Sequence, residues 1–155
     1  MSPDLKSELK QQKPFRSLYH EAELSLIRTA NLLTDSFEQM LKPYGITGTQ
    51  FNVLRILRGA EPNGLCRNEV SARLINRMPD ATRLLDRMEE AGLVTRARST
   101  EDRRLVTTQI TDKGRDLVNS LDDIVERQHQ AKLGHLSNDQ LKSLIELLTL
   151  VRNAK

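Results

Sequence analysis

A chain of 155 residues with 37% hydrophobic and 29% charged content suits one folded domain or a small two-part unit, and with aromatics at 3% and no Trp its core must come from aliphatic side chains packed between helices. No apolar run approaches the roughly 20 residues of a membrane span, and the polar start MSPDLKSELKQQKP lacks the apolar stretch of a signal peptide, which predicts a cytoplasmic protein with no membrane partner. The net charge of +3 is unevenly spread: residues 67–115 hold 11 basic against 8 acidic residues, ten of the basic ones Arg, which points to nucleic acid, with a solvated, salt-bridged helix surface as the alternative.

In chain order, the first 16 residues are expected to fray. From about Ser17 to Lys42, Leu18, Ala22, Leu26, Ala30, Leu33, Phe37 and Met40 recur three and four apart, predicting a helix that Pro43 and Gly45 end. At about 1.5 Å per residue it runs roughly 40 Å, more than so small a domain needs, so it is expected to reach a partner. Thr47 to Gln50 has the form of a capping box and opens a second helix through Phe51, Leu54 and Leu57, after which Glu61-Pro62-Asn63-Gly64 reads as a turn.

Two short helical segments follow, CRNEVSARLI and PDATRLLDRMEEAGL, separated only by Asn76, Arg77 and Met78, which is the pattern of a helix-turn-helix. In the second, Pro79 suits the first helical position, Asp80 the positive helix end, and Gly92 the C-cap. Ala81, Leu84, Leu85 and Met88 form an inward stripe, leaving Thr82, Arg83, Asp86 and Arg87 turned outward. Beyond Gly92, LVTRAR and LVTTQI flank the loop 99–104 with a period of two, predicting a two-stranded hairpin. A long helix is expected from about Thr111 to Lys132, with Leu117, Leu121 and Ile124 on one face. Ser137 to Gln140 forms another capping box, opening a last helix striped by Leu141, Leu144, Leu148 and Val151.

The stretch RNEVSARLINRMPDATRLLDRMEEAGLVTRARSTEDRRLVTTQITDKG resembles the core of the MarR family of bacterial regulators. The resemblance is most specific in TRLLDRMEEAGLV and DRRLVTTQITDKG, and the element order fits over about residues 17–152. It implies a mainly α fold: a winged helix-turn-helix DNA-binding domain with a two-stranded β-wing over residues 47–111, and a helical dimerisation region formed by residues 1–46 and 112–155. It also implies an obligate homodimer with interleaved terminal helices, presenting two winged domains to one duplex. Double-stranded DNA is then the partner, and half-sites about one turn (~10 bp) apart make a pseudo-palindromic operator the expectation.

Within that frame Thr82 and Arg83 are candidates for base or phosphate contacts, and Arg73 and Arg77 for the DNA backbone around the turn. Arg87 is a candidate whose charge Asp86 and Glu90 stand close enough to neutralise. Asp80 would oppose phosphate and reads as a helix-dipole residue. In the wing, Asp102 and Arg104 match the family pattern in which the acid orients an arginine that enters the minor groove, with Arg103 as a phosphate contact or alternate. Arg96 and Arg98 lie on one side of the first wing strand by alternation and are expected to line the DNA backbone.

Proteins that resemble this one often take small anionic or phenolic effectors between the dimer helices and the winged domain. Arg16, Tyr19, His20 and Tyr44 are the candidate lining residues, each also readable as surface or packing. The expected function is a sequence-specific transcriptional regulator, a repressor relieved by a small molecule; the alternative is a winged-helix interaction module without specific DNA binding. Cys66, the single cysteine, reads as a Ser-like helix cap or as a redox-sensitive thiol. His20, His129 and His135 have no cysteine cluster and no i, i+4 partner, so neither metal nor cofactor is expected. No activated nucleophile, metal set or phosphate-cradling glycine loop is present to suggest an enzyme.

Overall fold

The computed structural model describes residues 3–154. Its contacts divide the chain into Met1–Gly48 and Thr49–Lys155.

In the first unit a single helical turn, α1 (Leu5–Glu8), begins where the Asp4 carboxylate accepts the Ser7 N–H at 2.9 Å. Within the first 16 residues, where fraying is expected, positions 1 and 2 lie outside the described residues and Asp4 to Glu8 form this capped turn, which a Glu8–Arg28 ion pair of 3.7 Å joins to the next helix. That helix, α2 (Leu18–Leu41), starts at Ser17, whose hydroxyl accepts the His20 N–H at 3.2 Å. It ends in a 3-10 turn, Lys42–Tyr44, closed by Gly45 in the left-handed region at φ 70°. Only Leu41 of α2 is buried, whereas Leu18, Tyr19, Ile27 and Leu32 are at least half exposed.

The second unit carries the core. α3 (Gly48–Gly59) buries Phe51, Val53, Leu54 and Leu57. β1 (Leu65–Cys66) leads directly into α4 (Arg67–Arg73), which buries Val70. α5 (Thr82–Glu90) buries Leu85 and Met88 behind Ala81. β2 (Val94–Arg98) and β3 (Val106–Ile110) form the hairpin. α6 (Asp112–Leu133) and α7 (Asn138–Arg152) follow, each opened by a hydroxyl cap, from Thr111 and Ser137. Among the described residues no helix is long and apolar enough to cross a membrane.

The two-stranded hairpin is present as expected, with one strand added to it, and two other expectations need correction. The sheet has three antiparallel strands in the order β1-β3-β2, with Leu65 opposite Thr108 and Val94 opposite Ile110. Two residues are too few to show an alternation, so β1 is silent in the sequence. Gly64 makes it possible: φ is 73°, and a Cβ there would run into the Thr108 carbonyl oxygen. α5 starts at Thr82 and not at Pro79, because the Asp80 carboxylate accepts the Thr82 N–H at 2.9 Å and fixes the helix entry two residues later. Lastly, the buried stripe of α6 is Gly114, Val118, Leu121 and Val125, with Leu117 and Ile124 only half-buried on its flank. Gly114 lets α6 approach so closely that a Cβ would meet the Leu93 carbonyl oxygen and the side chains of Ile110 and Leu54.

Candidate nucleic-acid interface

α5 is held at both ends. At its start, the Asp80 carboxylate also accepts the Thr82 hydroxyl proton, and that hydroxyl oxygen accepts from the Arg67 guanidinium at 2.9 Å. These two hydrogen bonds from Thr82, with Arg67 nearby, hold the Asp80 carboxyl below the usual carboxylate range. Asp80 thus stands where its reading as a helix-end residue puts it. At the other end the Leu93 N–H reaches the Met88 carbonyl and the Gly92 N–H the Glu89 carbonyl, each at 2.9 Å, with Gly92 at φ 74°. This is the Schellman closure, which needs glycine at that position. The carbonyls just beyond the helix are then satisfied from the start of α6 and its cap: Lys113 Nζ donates to Ala91 O at 2.8 Å and Thr111 Oγ1 to Gly92 O at 2.6 Å.

With Ala81, Leu85 and Met88 inward, Arg83 and Arg87 stand exposed on the opposite face of α5, and Leu84 is half-buried. Arg73 ends α4 and Arg77 lies in the turn, both exposed. The turn spans 74–81 and is anchored where Asn52 Oδ1 accepts the Ile75 N–H at 2.9 Å. Thr82 is half-buried and its hydroxyl is already engaged. Arg67, absent from the candidate contacts, joins the group through the first position of α4, a place that a reading centred on the second helix passes over.

The hairpin tip is built from its own backbone. The Ser99 N–H donates to Leu105 O at 2.8 Å, Leu105 N–H to Asp102 O at 2.9 Å, and the Asp102 carboxylate accepts the Arg104 N–H at 2.9 Å. Asp102 therefore orients Arg104 through its main chain, and the Arg103 and Arg104 side chains are exposed at the tip. Arg98 is exposed as well. Arg96 is not: it shares the strand face of buried Val94, and one of its terminal nitrogens lies 2.6 Å from Asp86 Oδ1 and 3.0 Å from Glu89 Oε1. Its backbone N–H donates to Glu89 Oε2 at 3.1 Å. These bonds push the Arg96 guanidinium further up, through Glu89 first and Asp86 second, and hold the Glu89 carboxyl down. Of the two strand arginines expected along DNA, Arg96 is engaged by Asp86 and Glu89 of α5, while Arg98, further along the same strand face, stays exposed.

The remaining candidates are scattered. In the first unit the Arg16 N–H donates to His20 Nδ1 at 3.4 Å, and the His20 ring meets Phe15 edge-on. Tyr19 is almost fully exposed beside them. Tyr44 follows the far end of α2, roughly 35 Å away along the helix, so one chain does not bring the four together. Cys66 is the N-cap of α4, and Glu69 accepts its backbone N–H at 2.8 Å, the cap arrangement. Among the described residues no group of three His, Cys, Asp or Glu could hold a metal.

This arrangement of helix-turn-helix and hairpin is also found elsewhere. The family model described as "Transcriptional regulator SarA/Rot" matches residues 35–121. A MarR transcription factor from Planctomyces limnophilus is 38% identical, covering 88% of this chain and 99% of its own, with a TM-score of 0.66. The chain belongs to the MarR family of winged-helix regulators. Other MarR-type relatives include the transcriptional repressor MprA of Escherichia coli K12, 29% identical over 90% of this chain and 86% of that protein. A mutant MarR from Escherichia coli, solved with operator DNA, is 25% identical, covers 96% of this chain and 99% of its own, and gives a TM-score of 0.73. As a MarR-type protein the chain is a DNA-binding transcriptional regulator, neither an enzyme nor a winged-helix module without DNA binding.

Proposed function

We propose that this MarR-type regulator works in the cytoplasm as a homodimer, binds a pseudo-palindromic operator, and represses transcription until a small anionic or phenolic effector releases it. The observation that carries the reading is the pair of exposed cationic projections, Arg83 and Arg87 on α5 and Arg103 and Arg104 at the hairpin tip, on one folded unit. In the major groove, α5 places Arg83 and Arg87 toward base edges and phosphates, with Thr82 holding the helix start. Arg73, Arg77 and Arg98 face phosphates. Asp102 sets the turn from which Arg104 enters the minor groove, with Arg103 on the adjoining phosphate. Residues 47–111 serve as the DNA-binding domain, and 1–46 with 112–155 as the dimerisation region. The effector site, at Arg16, Tyr19, His20 and Tyr44, is completed only by a second chain, since one chain separates Tyr44 from the rest. Cys66 acts as a helix cap and not as a redox sensor, in keeping with the hydrogen bond from its N–H to Glu69.

Fluorescence anisotropy on the DNA upstream of its own gene, with scrambled duplex as competitor, tests this directly. The expected result is selective binding that weakens steeply with salt. Arg104→Ala should weaken it by about ten- to a hundredfold and lower the salt slope by about one. Equal affinity for scrambled duplex overturns the operator reading.

A further inference from the structure

We infer that Arg96 is a positioning residue that sets the wing against the recognition helix, and that it does not itself touch DNA. The inference rests on the DNA-binding reading above and deepens it. Two cationic projections must enter neighbouring grooves of one rigid duplex, so their mutual angle matters as much as their charge. The hairpin is attached to α5 covalently only through Ala91, Gly92 and Leu93, and glycine at φ 74° resists bending poorly. Arg96 bridges that junction. Its side chain is only 27% exposed and its guanidinium spans Asp86 and Glu89, one turn apart on α5, while its backbone N–H closes on the same Glu89. Main chain and side chain of one strand residue are thus tied to the same helix, which fixes the strand in both translation and rotation. The arrangement has a second effect: its single positive charge offsets one of the two negative charges on the helix that is to approach phosphate.

A positioning role and a contact role separate in salt dependence, because each phosphate neutralised contributes about 0.9 to the slope of log K against log salt. For Arg96→Met, affinity should fall about three- to tenfold with the slope unchanged. Hydroxyl-radical footprints should lose the outer, wing-side protection and keep the protection under α5. Arg96→Met with Glu89→Gln removes one positive and one negative charge; it should stay as weak as Arg96→Met, since the tie is still missing. Thermal unfolding run alongside identifies the folded fraction, and a footprint fading evenly across both regions would mean simple loss of folded protein and overturn the inference. So would a slope reduced by about one, which marks a phosphate contact, or recovery of affinity in the charge-neutral pair, which marks charge balance alone. If the wild-type chain itself fails to prefer its upstream DNA, the operator reading falls and takes this inference with it; the other outcomes overturn the inference alone.

Discussion

Arg96 on the first strand of the hairpin and Arg104 at its tip carry the same guanidinium, yet their surroundings give them opposite employment. Arg104 has its backbone fixed and its side chain free; Arg96 has both engaged. The difference should appear in acid. Hydrogen bonds from Arg96 depress the Glu89 carboxyl in the folded state, so the unfolded chain takes up the proton first as pH falls. Its stabilising contribution is complete above the unfolded value of about 4.3 and is lost as pH drops through the lower folded value. A difference in Tm between wild type and Arg96→Met should therefore be present at pH 7 and shrink as the pH falls below the unfolded carboxylate value, measured by thermal unfolding. A gap that persists at the acid end would assign the stabilisation to packing of the arginine stem.

At the scale of elements, the wing turn deserves the same test. Asp102→Ala removes the acceptor of the Arg104 N–H, and with it the shape that presents the arginine; the expected loss is about three- to tenfold in DNA affinity with Tm unchanged, read by anisotropy and thermal unfolding. How far such elements were legible depended on their periodicity. α2, α3, α5, α6 and α7 announce themselves through apolar residues three and four apart, and the hairpin through its alternation, so the order of elements could be read along the chain. β1 could not, being two residues with no period, and the start of α5 was hidden because Pro79 suits a first helical position and only the Asp80 hydrogen bond overrules it. The interface candidates were legible as residue types. Alternation puts Arg96 and Arg98 on one face of β2, but cannot say that this face meets α5, nor that Arg96 comes within reach of Asp86 and Glu89 while Arg98 meets solvent.

For the whole molecule, the apolar side chains left outside the core are the prominent feature. On α7, Leu144, Ile145, Leu147, Leu150 and Val151 are all exposed and wrap most of the helix circumference. A helix apolar on several sides belongs in an interior, and in a single chain this one has no fully buried residue, with Leu141 and Leu148 half-buried. A second copy of the chain is its expected cover. Leu150→Glu should convert a dimer to a monomer in sedimentation velocity at micromolar concentration and abolish operator binding, while leaving the helical circular dichroism of the unit intact. A dimer that survives the substitution would place the association elsewhere. The same scale gives meaning to the junction where Thr111 and Lys113 grip the carbonyls of Ala91 and Gly92, just past the end of α5. α6 is about 33 Å long, and one end of it is clamped to the tail of the recognition helix. It is a lever with a short arm and a long one: a tilt of about 5° that sweeps its free end through about 3 Å is felt at the clamp as rotation, so the angle of entry into the groove can be steered from a point that never comes near DNA.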